Sequence, residues 1–516
     1  MKSAKKKWLW PLCTAAYLAG LGLLTLAERR DPNASIQTFA DAFWYSLVTM
    51  STVGYGDLYP VTVPGKFLGI VFILLSLGLM AFLLGILIRI VTGKMLPSIQ
   101  LWKARNRTWY IFSCQNDAAF ALAKDLAEED PGCVLLFPEC ADSAPPEQLP
   151  HLIYHSSPEA LAAGKKDRCH ICFLDEQDPY EQAVAALETG HRVYCRTSFA
   201  PDACPENLTL FNPYDCCARR YWQDHGLMPR ERNILLIGDG IYAENLLTQG
   251  LLLNVYGQER QITYHVFGDW ENYLRNHHRL SETLCLDGAG DGGDRLYFHK
   301  TPWNRDAALL AAADRIILCQ DQREENKELL GQIHRYFPTQ ANIHLLCHNP
   351  LPGHTVFGTQ NTVYTARLVF QEQLNRAARS MHDLYRDSAG SNVPAWEQLS
   401  EFLRQSNIAA AGHLLTKIRI LLEDDTVSAI TPDNCRAAYD RYRSCSPERK
   451  EAFRRIEHLR WMRFHSLYNW RHSPTRNNAA REHPLMVPYE ALSVPDQRKD
   501  DFAWELLASL AIRLEN

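Results

Sequence analysis

Two long apolar segments near the start of the chain, with a glycine-bearing loop between them, constrain the fold more than any other feature. The first runs from about Trp8 to Ala27 and the second from about Phe67 to Val91. At about 1.5 Å per helical residue, each can cross a hydrocarbon core of about 30 Å. The alternative for the first segment is a secretory signal peptide with the basic start Lys5–Lys7, but the apolar stretch is long for one.

The loop between these segments contains Thr52-Val53-Gly54-Tyr55-Gly56, followed by Asp57. Glycines at alternate positions permit backbone angles that other residues rarely adopt. Such a strand can line an axis with carbonyl oxygens that replace the water shell of K⁺, and the Thr52 hydroxyl can add a ring of oxygens. One chain supplies one strand, so the pattern predicts a homotetramer with K⁺ ligands at Thr52, Val53, Gly54 and Tyr55. The alternative is a chance loop with two glycines.

A short apolar helix is predicted directly before this loop, over Phe39–Val48. It is too short to span a bilayer and is predicted to be re-entrant, with its C-terminal end toward the ions, where the helix dipole favours cations. The strand Thr52–Gly56 is called the filter below. Trp44 and Tyr45 are predicted to pack as a cuff around it, and Asp57 is predicted to form a hydrogen bond behind it. Interfacial aromatics and a plain surface acid are the alternatives.

The stretch Ala42–Asp57 resembles the pore signature of two-transmembrane potassium channels. The resemblance implies passive conduction of K⁺ without covalent chemistry, so the chain is not predicted to be an enzyme. No Arg-rich helix precedes the stretch, so nothing in the sequence supplies a voltage sensor. The resemblance suggests Gly78 and Gly85 in the second segment as gating hinges; close helix packing through small residues is the alternative.

Lysine and arginine residues at the segment ends predict the orientation of the chain in the lipid bilayer. They precede the first segment and follow the second, as in Lys5–Lys7 and Lys94. A multi-pass protein of the inner (plasma) membrane, with both termini cytoplasmic, is therefore predicted. The net charge of −5 shows no strong bias toward nucleic acid, and none is predicted as a partner. The fifteen cysteines have no zinc-site spacing.

Residues 1–95 are assigned to the pore, and the remainder of the 516-residue chain is long enough for about three domains. From Arg107 onward, short apolar strands alternate with helical stretches, which predicts parallel sheets with helices on both faces. The pattern occurs twice, over residues 107–228 and 230–387, and suggests a tandem duplication.

Gly238-x-Gly240-x-x-Ala243 in the second copy resembles the dinucleotide fingerprint, and Asp269 is a candidate ligand for a ribose hydroxyl. The glycines would let a phosphate approach the helix N-terminus. The matching place in the first copy, Ser113–Ala118, has no glycine, so phosphate binding is predicted to be lost there. A tight turn without a ligand is the alternative for the second copy.

A pore followed by two such domains resembles channels with tandem regulator-of-conductance (RCK) domains, over about residues 107–386. The resemblance implies a gating ring of eight domains that pulls on the pore helices through the linker Lys94–Arg107. No acidic cluster predicts a Ca²⁺ site, and the Gly-rich loop Asp287–Asp294 is predicted to be solvated.

A break at Ser388–Pro394 precedes a third domain, predicted over residues 390–516. Its Glu-His-x-x-Trp motif ends at Trp461, and a downstream His-Pro-x-Leu-x-Pro-Tyr-type loop ends at Tyr489; together they resemble the ryanodine-receptor repeat domain. Aromatic rings stack on bases and arginines pair with phosphates. The candidate ligand-binding residues are therefore His458, Arg460, Trp461, Arg463, Trp470 and Tyr489. The alternative is that the aromatics form the core of a small helical domain.

The sequence thus predicts a membrane α-helical pore with cytoplasmic α/β Rossmann-like domains in tandem and a small, mainly helical C-terminal domain. The predicted function is a ligand-gated K⁺ channel whose ligand is of nucleotide type, such as a cyclic nucleotide. One alternative is a channel whose third domain docks a protein partner, and another is a membrane-anchored nucleotide-processing enzyme. The sequence names neither the ligand nor whether it opens or closes the pore.

Overall fold

The computed structural model describes residues 9–90, 102–139, 149, 151–155, 168–201, 204–289, 293–370, 372–389 and 393–515. The chain divides into two compact units, Met1–Asn106 and Arg107–Asn516, and each is described separately. The basic start Lys5–Lys7 and most of the predicted linker Lys94–Arg107 lie outside the described residues.

In the described part of the first unit, three helices span Leu9–Glu28, Phe39–Met50 and Val63–Ile90. Among the described residues, Val63–Ile88 is the one helix long and apolar enough to cross a membrane, and Ala15–Glu28 is apolar but shorter. The three helices pack around a small buried core of Leu21, Leu24, Ile36, Ala42 and Phe72. The predicted apolar segments and the short helix between them are thus helical.

The second unit begins with a six-stranded parallel sheet in the order β3-β2-β1-β4-β5-β6. Helices on its faces span Asp117–Glu129, Tyr180–Ala186 and Pro213–Asp224. The alternation of strands and helices predicted for residues 107–228 is thus present as a parallel sheet. The strands are β1 (Trp109–Phe112), β2 (Val134–Pro138), β3 (Leu152–His155), β4 (Cys169–Phe173), β5 (Arg192–Arg196) and β6 (Leu208–Phe211).

A second parallel sheet of seven strands follows, in the order β13-β12-β11-β7-β8-β10-β9. Its strands are β7 (Asn233–Ile237), β8 (Thr263–Phe267), β9 (Cys285–Leu286), β10 (Arg295–His299), β11 (Arg315–Leu318), β12 (Asn342–Leu346) and β13 (Thr355–Phe357). Its helices span Ile241–Leu253, Glu271–Asn276, Ala307–Ala312, Arg323–Tyr336, Gln360–Val363 and Ala366–Val369.

Three strands of this sheet are only weakly apolar or very short in sequence. Strands β9 and β13 are short, with two and three residues. Strand β10 starts directly after the Gly-rich loop Asp287–Asp294 and has the polar ends Arg295 and His299, so its apolar character is weak.

The chain that leaves the second sheet returns to the first one. Phe370 packs against the rings of Tyr110, His170 and Tyr194, with centroid distances of 5.3, 5.8 and 4.3 Å. The backbone N–H of Ala366 donates a hydrogen bond of 2.6 Å to a carboxylate oxygen of Asp125. Phe370 therefore covers one face of the first sheet.

The remaining residues form a mainly helical region around a core that includes Trp396, Tyr442, Phe453 and Trp504. A two-stranded sheet joins β14 (Arg471–His472) to β15 (Glu482–His483). The helices are Arg376–Ala389, Glu401–Gly412, Leu414–Leu422, Pro432–Ser444, Pro447–Leu467, Val494–Lys499 and Phe502–Glu515.

This helical region is joined to the second sheet by buried polar contacts. The Arg463 guanidinium, which is 0 % exposed, lies 2.6 Å from Asp294 and also donates to the backbone oxygens of Leu251 and Thr283. The ring of His413 donates to the backbone oxygen of Val255 at 2.8 Å. The third region therefore belongs to the same compact unit as the wound domains.

Candidate functional site

The backbone of the Thr52–Gly56 loop alternates in handedness. Thr52, Gly54 and Gly56 have φ angles of +60°, +59° and +73°, whereas Val53 and Tyr55 have negative φ. A left-handed conformation is rare for a β-branched residue such as Thr52. Alternating left- and right-handed residues turn successive carbonyl groups toward one side of the strand, whereas an extended strand points them to opposite sides. The loop can therefore present a row of oxygens to an ion.

The helix Phe39–Met50 fixes the start of this loop. Its N-terminus is closed by a reciprocal pair in which Asp41 N–H donates to the Thr38 hydroxyl and Thr38 N–H donates to the Asp41 carboxylate. At its C-terminus, the N–H of Val53 bonds to the backbone oxygen of Val48 at 3.1 Å. The loop thus begins at the end of the helix where the dipole attracts cations.

Trp44 connects this helix to the far side of the loop. Its indole N–H donates a hydrogen bond of 3.0 Å to the Asp57 carboxylate, and its ring stacks on Tyr55 with a centroid distance of 6.3 Å. The predicted hydrogen bond of Asp57 is therefore present. The Tyr45 hydroxyl lies beside Gly69 of the third helix, since a methyl group built on Gly69 would be 2.9 Å from it. Tyr45 accordingly packs against the third helix.

A buried carboxylate that the sequence analysis does not identify holds the chain after the loop. Glu28 is 0 % exposed and accepts hydrogen bonds from the N–H groups of Val61 and Thr62 and from the Thr62 hydroxyl, at 2.9, 3.0 and 2.6 Å. These bonds tie the end of the first helix to the start of the third. In the sequence, Glu28 is recognisable only as a single carboxylate at the end of an otherwise apolar segment.

The two candidate hinge glycines lie inside the helix Val63–Ile90. A methyl group built on Gly78 or Gly85 meets no atom within 4 Å in the single chain. Neither residue is needed for a close approach within this chain.

The turn after β7 requires its glycines. A methyl group on Gly238 (φ +145°) would lie 2.7 Å from the carbonyl carbon of Cys319, and Gly240 has φ +89°. Ala243 is fully buried at the start of the helix Ile241–Leu253. Asp269 accepts a hydrogen bond of 3.1 Å from the N–H of Glu271, so its carboxylate is used within the turn before the helix Glu271–Asn276.

Arg460 is engaged inside the helical region and is not presented to a ligand. It makes a two-pronged contact with Glu457, whose other partner is the fully buried Lys417 at 2.7 Å. Burial opposes ionisation of Glu457, but Arg460 and Lys417 outweigh it and hold the pKa well below the ordinary value. Arg463 is likewise paired with Asp294. A buried guanidinium needs such a partner, and this corrects the picture of two arginines waiting for phosphate.

His458 and Trp461 form a tight group with two further histidines. The ring of His458 donates to the backbone oxygen of Val487 at 2.8 Å, while Trp461 lies 4.0 Å from His465 and 5.0 Å from His483, measured between ring centroids. Burial lowers the pKa of His465 to about 3 and that of His483 to about 4. Both are neutral near pH 7, so they pack against Trp461 as uncharged rings.

Trp470 borders a cavity of about 300 Å³ that the sequence analysis does not anticipate. Trp470 is buried and stacks on Phe402 with a centroid distance of 5.0 Å. Tyr489 has other neighbours, because its hydroxyl accepts from Arg454 and its ring lies under Arg455. The cavity is lined by Ala200, Ser400, Glu401, Phe402, Leu403, Tyr468, Trp470, Arg476, Asn478 and Arg481.

The cavity combines aromatic walls with two cationic side chains at its rim. Arg481 donates to the backbone oxygen of Tyr468 at 2.7 Å, and the Nε of Arg476 donates to Asn478 at 2.9 Å. Glu401 is the acidic side chain in the lining. Arg476 and Arg481 lie between Trp461 and the loop that ends at Tyr489, outside both motifs. In the sequence, only their positive charge distinguishes them from the other polar residues of this segment. In the described part of the chain, no group of three or more His, Cys, Asp or Glu side chains could hold a metal ion.

Comparison with known proteins finds similarity within the first unit. Residues 12–93 match the family model described as Ion channel. The chain is 41% identical over 68 residues to a voltage-gated potassium channel of Aeropyrum pernix, which covers 13% of this chain and 23% of that protein. It is 54% identical over 43 residues to the human potassium voltage-gated channel subfamily A member 4, which covers 8% of this chain and 7% of that protein. The chain thus spans less than a quarter of the length of these relatives.

Among solved structures, the crystal structure of GsuK bound to ADP aligns with 71% of this chain and 99% of its own. The sequence identity is 11% and the TM-score is 0.33. A TM-score this low supports no conclusion about function, and the bound ADP is a property of that protein.

Proposed function

We propose that the chain is one subunit of a tetrameric, K⁺-selective channel of the inner membrane. The observation that carries the proposal is the alternation of positive φ at Thr52, Gly54 and Gly56. It gives each chain one row of carbonyl oxygens, and four rows around an axis form the rings of oxygens that replace the water shell of K⁺. The match of residues 12–93 to the ion-channel family supports the same reading.

Conduction in this proposal is passive and uses no covalent step. The C-terminal end of the helix Phe39–Met50 adds a favourable potential for a cation before the filter. Trp44 and Asp57 hold the outer end of the filter to that helix, and Glu28 holds the chain that follows. The helices Leu9–Glu28 and Val63–Ile90 cross the bilayer, with both termini in the cytoplasm.

The test is K⁺ flux from liposomes that contain the purified full-length protein. Gly54→Asp places a side chain and a charge at a residue with φ +59°, so flux is expected to vanish. Gly22→Ala, in the helix Leu9–Glu28, is the matched control, because a methyl group there meets no atom within 4 Å and the residue lies outside the filter and the candidate hinges. Flux that is unchanged by Gly54→Asp, or that carries Na⁺ as readily as K⁺, would refute the proposal.

The second unit is proposed to sense a ligand and to bias the open–closed equilibrium of the pore. A ligand can do so only if it binds one state better than the other. The cavity beside Trp470 suits a ligand of nucleotide type, because Phe402 and Tyr468 offer further rings for a base and Arg476 and Arg481 offer charge for a phosphate.

This part of the proposal is tested by flux in the presence of a panel of nucleotides, including cyclic ones. Arg476→Glu is expected to remove any nucleotide response, because it reverses a charge in the lining of the cavity. Arg498→Glu, at an exposed position outside that lining, is the matched control and is expected to respond as the wild type does. A response that survives Arg476→Glu, or no response to any nucleotide, would leave a protein-docking role for the third region as the better account.

A further inference from the structure

The fingerprint turn of the second wound domain is occupied by a carboxylate of the chain itself. The two carboxylate oxygens of Asp321 accept hydrogen bonds from the N–H groups of Ile241 and Tyr242, at 3.1 and 3.2 Å. These are the first N–H groups of the helix Ile241–Leu253, where the pyrophosphate of a dinucleotide binds in this fold. Asp321 therefore makes the contacts that the phosphate would make.

The carboxylate also fills the space that the glycine leaves open. A methyl group on Gly240 would lie 2.3 Å from one carboxylate oxygen of Asp321. In a dinucleotide-binding turn, the absence of a side chain at this glycine lets the pyrophosphate approach the backbone. Here the same absence lets Asp321 approach, so the contact with Asp321 by itself requires glycine at this position.

The matching turn of the first wound domain is closed in a related way. The Ser113 hydroxyl donates to a carboxylate oxygen of Asp175 at 2.5 Å. The side-chain oxygen of Asn116 accepts from the N–H of Ala119 at 2.8 Å, and its amide donates to the backbone oxygen of Leu174. The first turn of the helix that follows is thereby capped by the chain.

The two aspartates occupy equivalent places in the two sheets. Asp175 follows β4, which pairs with β1, and Asp321 follows β11, which pairs with β7. Strands β1 and β7 are the first strands of their sheets, and parallel strands end at the same edge. An acid at the end of the neighbouring strand therefore reaches the first turn in both copies.

Further acids surround the second turn and make it unfavourable for an anion. Asp239 accepts from the N–H of Asp269 at 2.8 Å, and Glu244 stands in the first turn of the helix. Arg323 donates to the Tyr242 hydroxyl at 2.6 Å and to the backbone oxygen of Gly358. These N–H groups of its guanidinium are therefore already bonded within the chain.

We propose that Asp175 and Asp321 are internal ligands that take the place of the pyrophosphate, so that neither wound domain binds a dinucleotide or ADP at its fingerprint turn. Gly238, Gly240 and Asp269 then have a structural role. The dinucleotide that this fold commonly binds does not fit the glycine-rich turn of this chain. The proposal concerns the wound domains alone and is independent of ion conduction and of the cavity beside Trp470.

The test is photolabelling of the purified full-length protein with 8-azido-ADP, followed by identification of the labelled peptides. In the wild type, no saturable label that unlabelled ADP or NAD⁺ displaces is expected within residues 113–120 or 238–245. Label elsewhere in the chain agrees with this expectation. Displaceable label within residues 238–245 of the wild type would overturn the proposal.

Asp321→Ala provides the positive arm, since it frees two N–H groups and removes a negative charge. We expect displaceable label to appear within residues 238–245. The photolabel concentration for half-saturation should be at least tenfold below that for any labelling of the wild type. Asp269→Asn is the matched control, because it removes one charge at the same edge and leaves the bonds of Asp321 in place. A folded Asp321→Ala variant that gains no label would overturn the assignment of Asp321.

Hydrogen exchange of the wild type keeps the proposal falsifiable if that variant does not fold. The amides of Ile241 and Tyr242 are expected to be protected without nucleotide and unchanged by millimolar ADP or NAD⁺. A nucleotide-dependent rise in their protection would overturn the proposal.

Discussion

The contact between Arg463 and Asp294 is expected to hold the helical region to the second wound domain. Both side chains are buried, at 0 % and 4 % exposure, and the guanidinium has two backbone acceptors besides the carboxylate. Arg463→Met keeps much of the apolar stem but leaves Asp294 as a buried charge without its partner. Removing one member of a buried ion pair costs about 3–5 kcal/mol.

This cost is measured as hydrogen exchange within the helix Pro447–Leu467, whose protection reports local opening. At about 1.4 kcal/mol per factor of ten, exchange should become roughly 140- to 4,000-fold faster. Arg471→Met is the matched control, because its partner Glu482 belongs to an exposed pair. Such a pair contributes under about 1 kcal/mol, which corresponds to roughly fivefold.

A double variant separates the charge from the packing. Asp294→Asn added to Arg463→Met removes the stranded charge and keeps an oxygen that can accept from the N–H of Ile262, which now bonds to Asp294 at 2.7 Å. It should recover about 1–3 kcal/mol, the cost of an unsatisfied buried group. Exchange in Arg463→Met that stays within fivefold of the wild type would refute the role of the pair.

Two further predictions concern pH and helix contact. Burial raises the pKa of Asp500 from 3.8 to about 8, so the folded state holds a proton that the unfolded state releases, and stability falls as pH rises through this window. The free energy of unfolding of Asp500→Asn should therefore rise, relative to that of the wild type, by up to about 1.4 kcal/mol per pH unit between pH 4 and 8. The same difference in Tm between variant and wild type at pH 5, 6 and 7 would contradict this. Gly65→Ala should lower the yield of folded protein on size exclusion, because its methyl group would lie 1.8 Å from a carboxylate oxygen of Glu28. Gly78→Ala should not lower this yield. Equal yields of the two variants would contradict the prediction for Gly65.

The local features of the proposed pore are accessible from sequence because they are short-range. The alternation of glycines in Thr52–Gly56 sets the backbone handedness directly, and Trp44 and Asp57 are only 13 residues apart. The strand–helix alternation likewise reports local burial and leads to parallel sheets. The short strand β13 carries too little apolar sequence to be recognised in this way.

The roles of the charged residues could not be obtained in the same manner. Arg463 and Asp294 are 169 residues apart, and Asp321 lies 80 residues from the N–H of Ile241 that it caps. A motif identifies a residue type at a position but not the partner that folding brings to it. One rule could have found Asp321: the carboxyl ends of neighbouring parallel strands meet at one edge, so an acid after β11 falls beside the turn after β7.

The return of Phe370 to the first sheet has a consequence for synthesis of the chain. The face of the sheet that carries Tyr110, His170 and Tyr194 is covered by a residue that the ribosome adds only after the whole second sheet. Contacts that span so many residues form slowly, and surface exposed in the meantime favours aggregation. The first wound domain therefore cannot complete its packing as it emerges, and its last step of folding waits for the second domain.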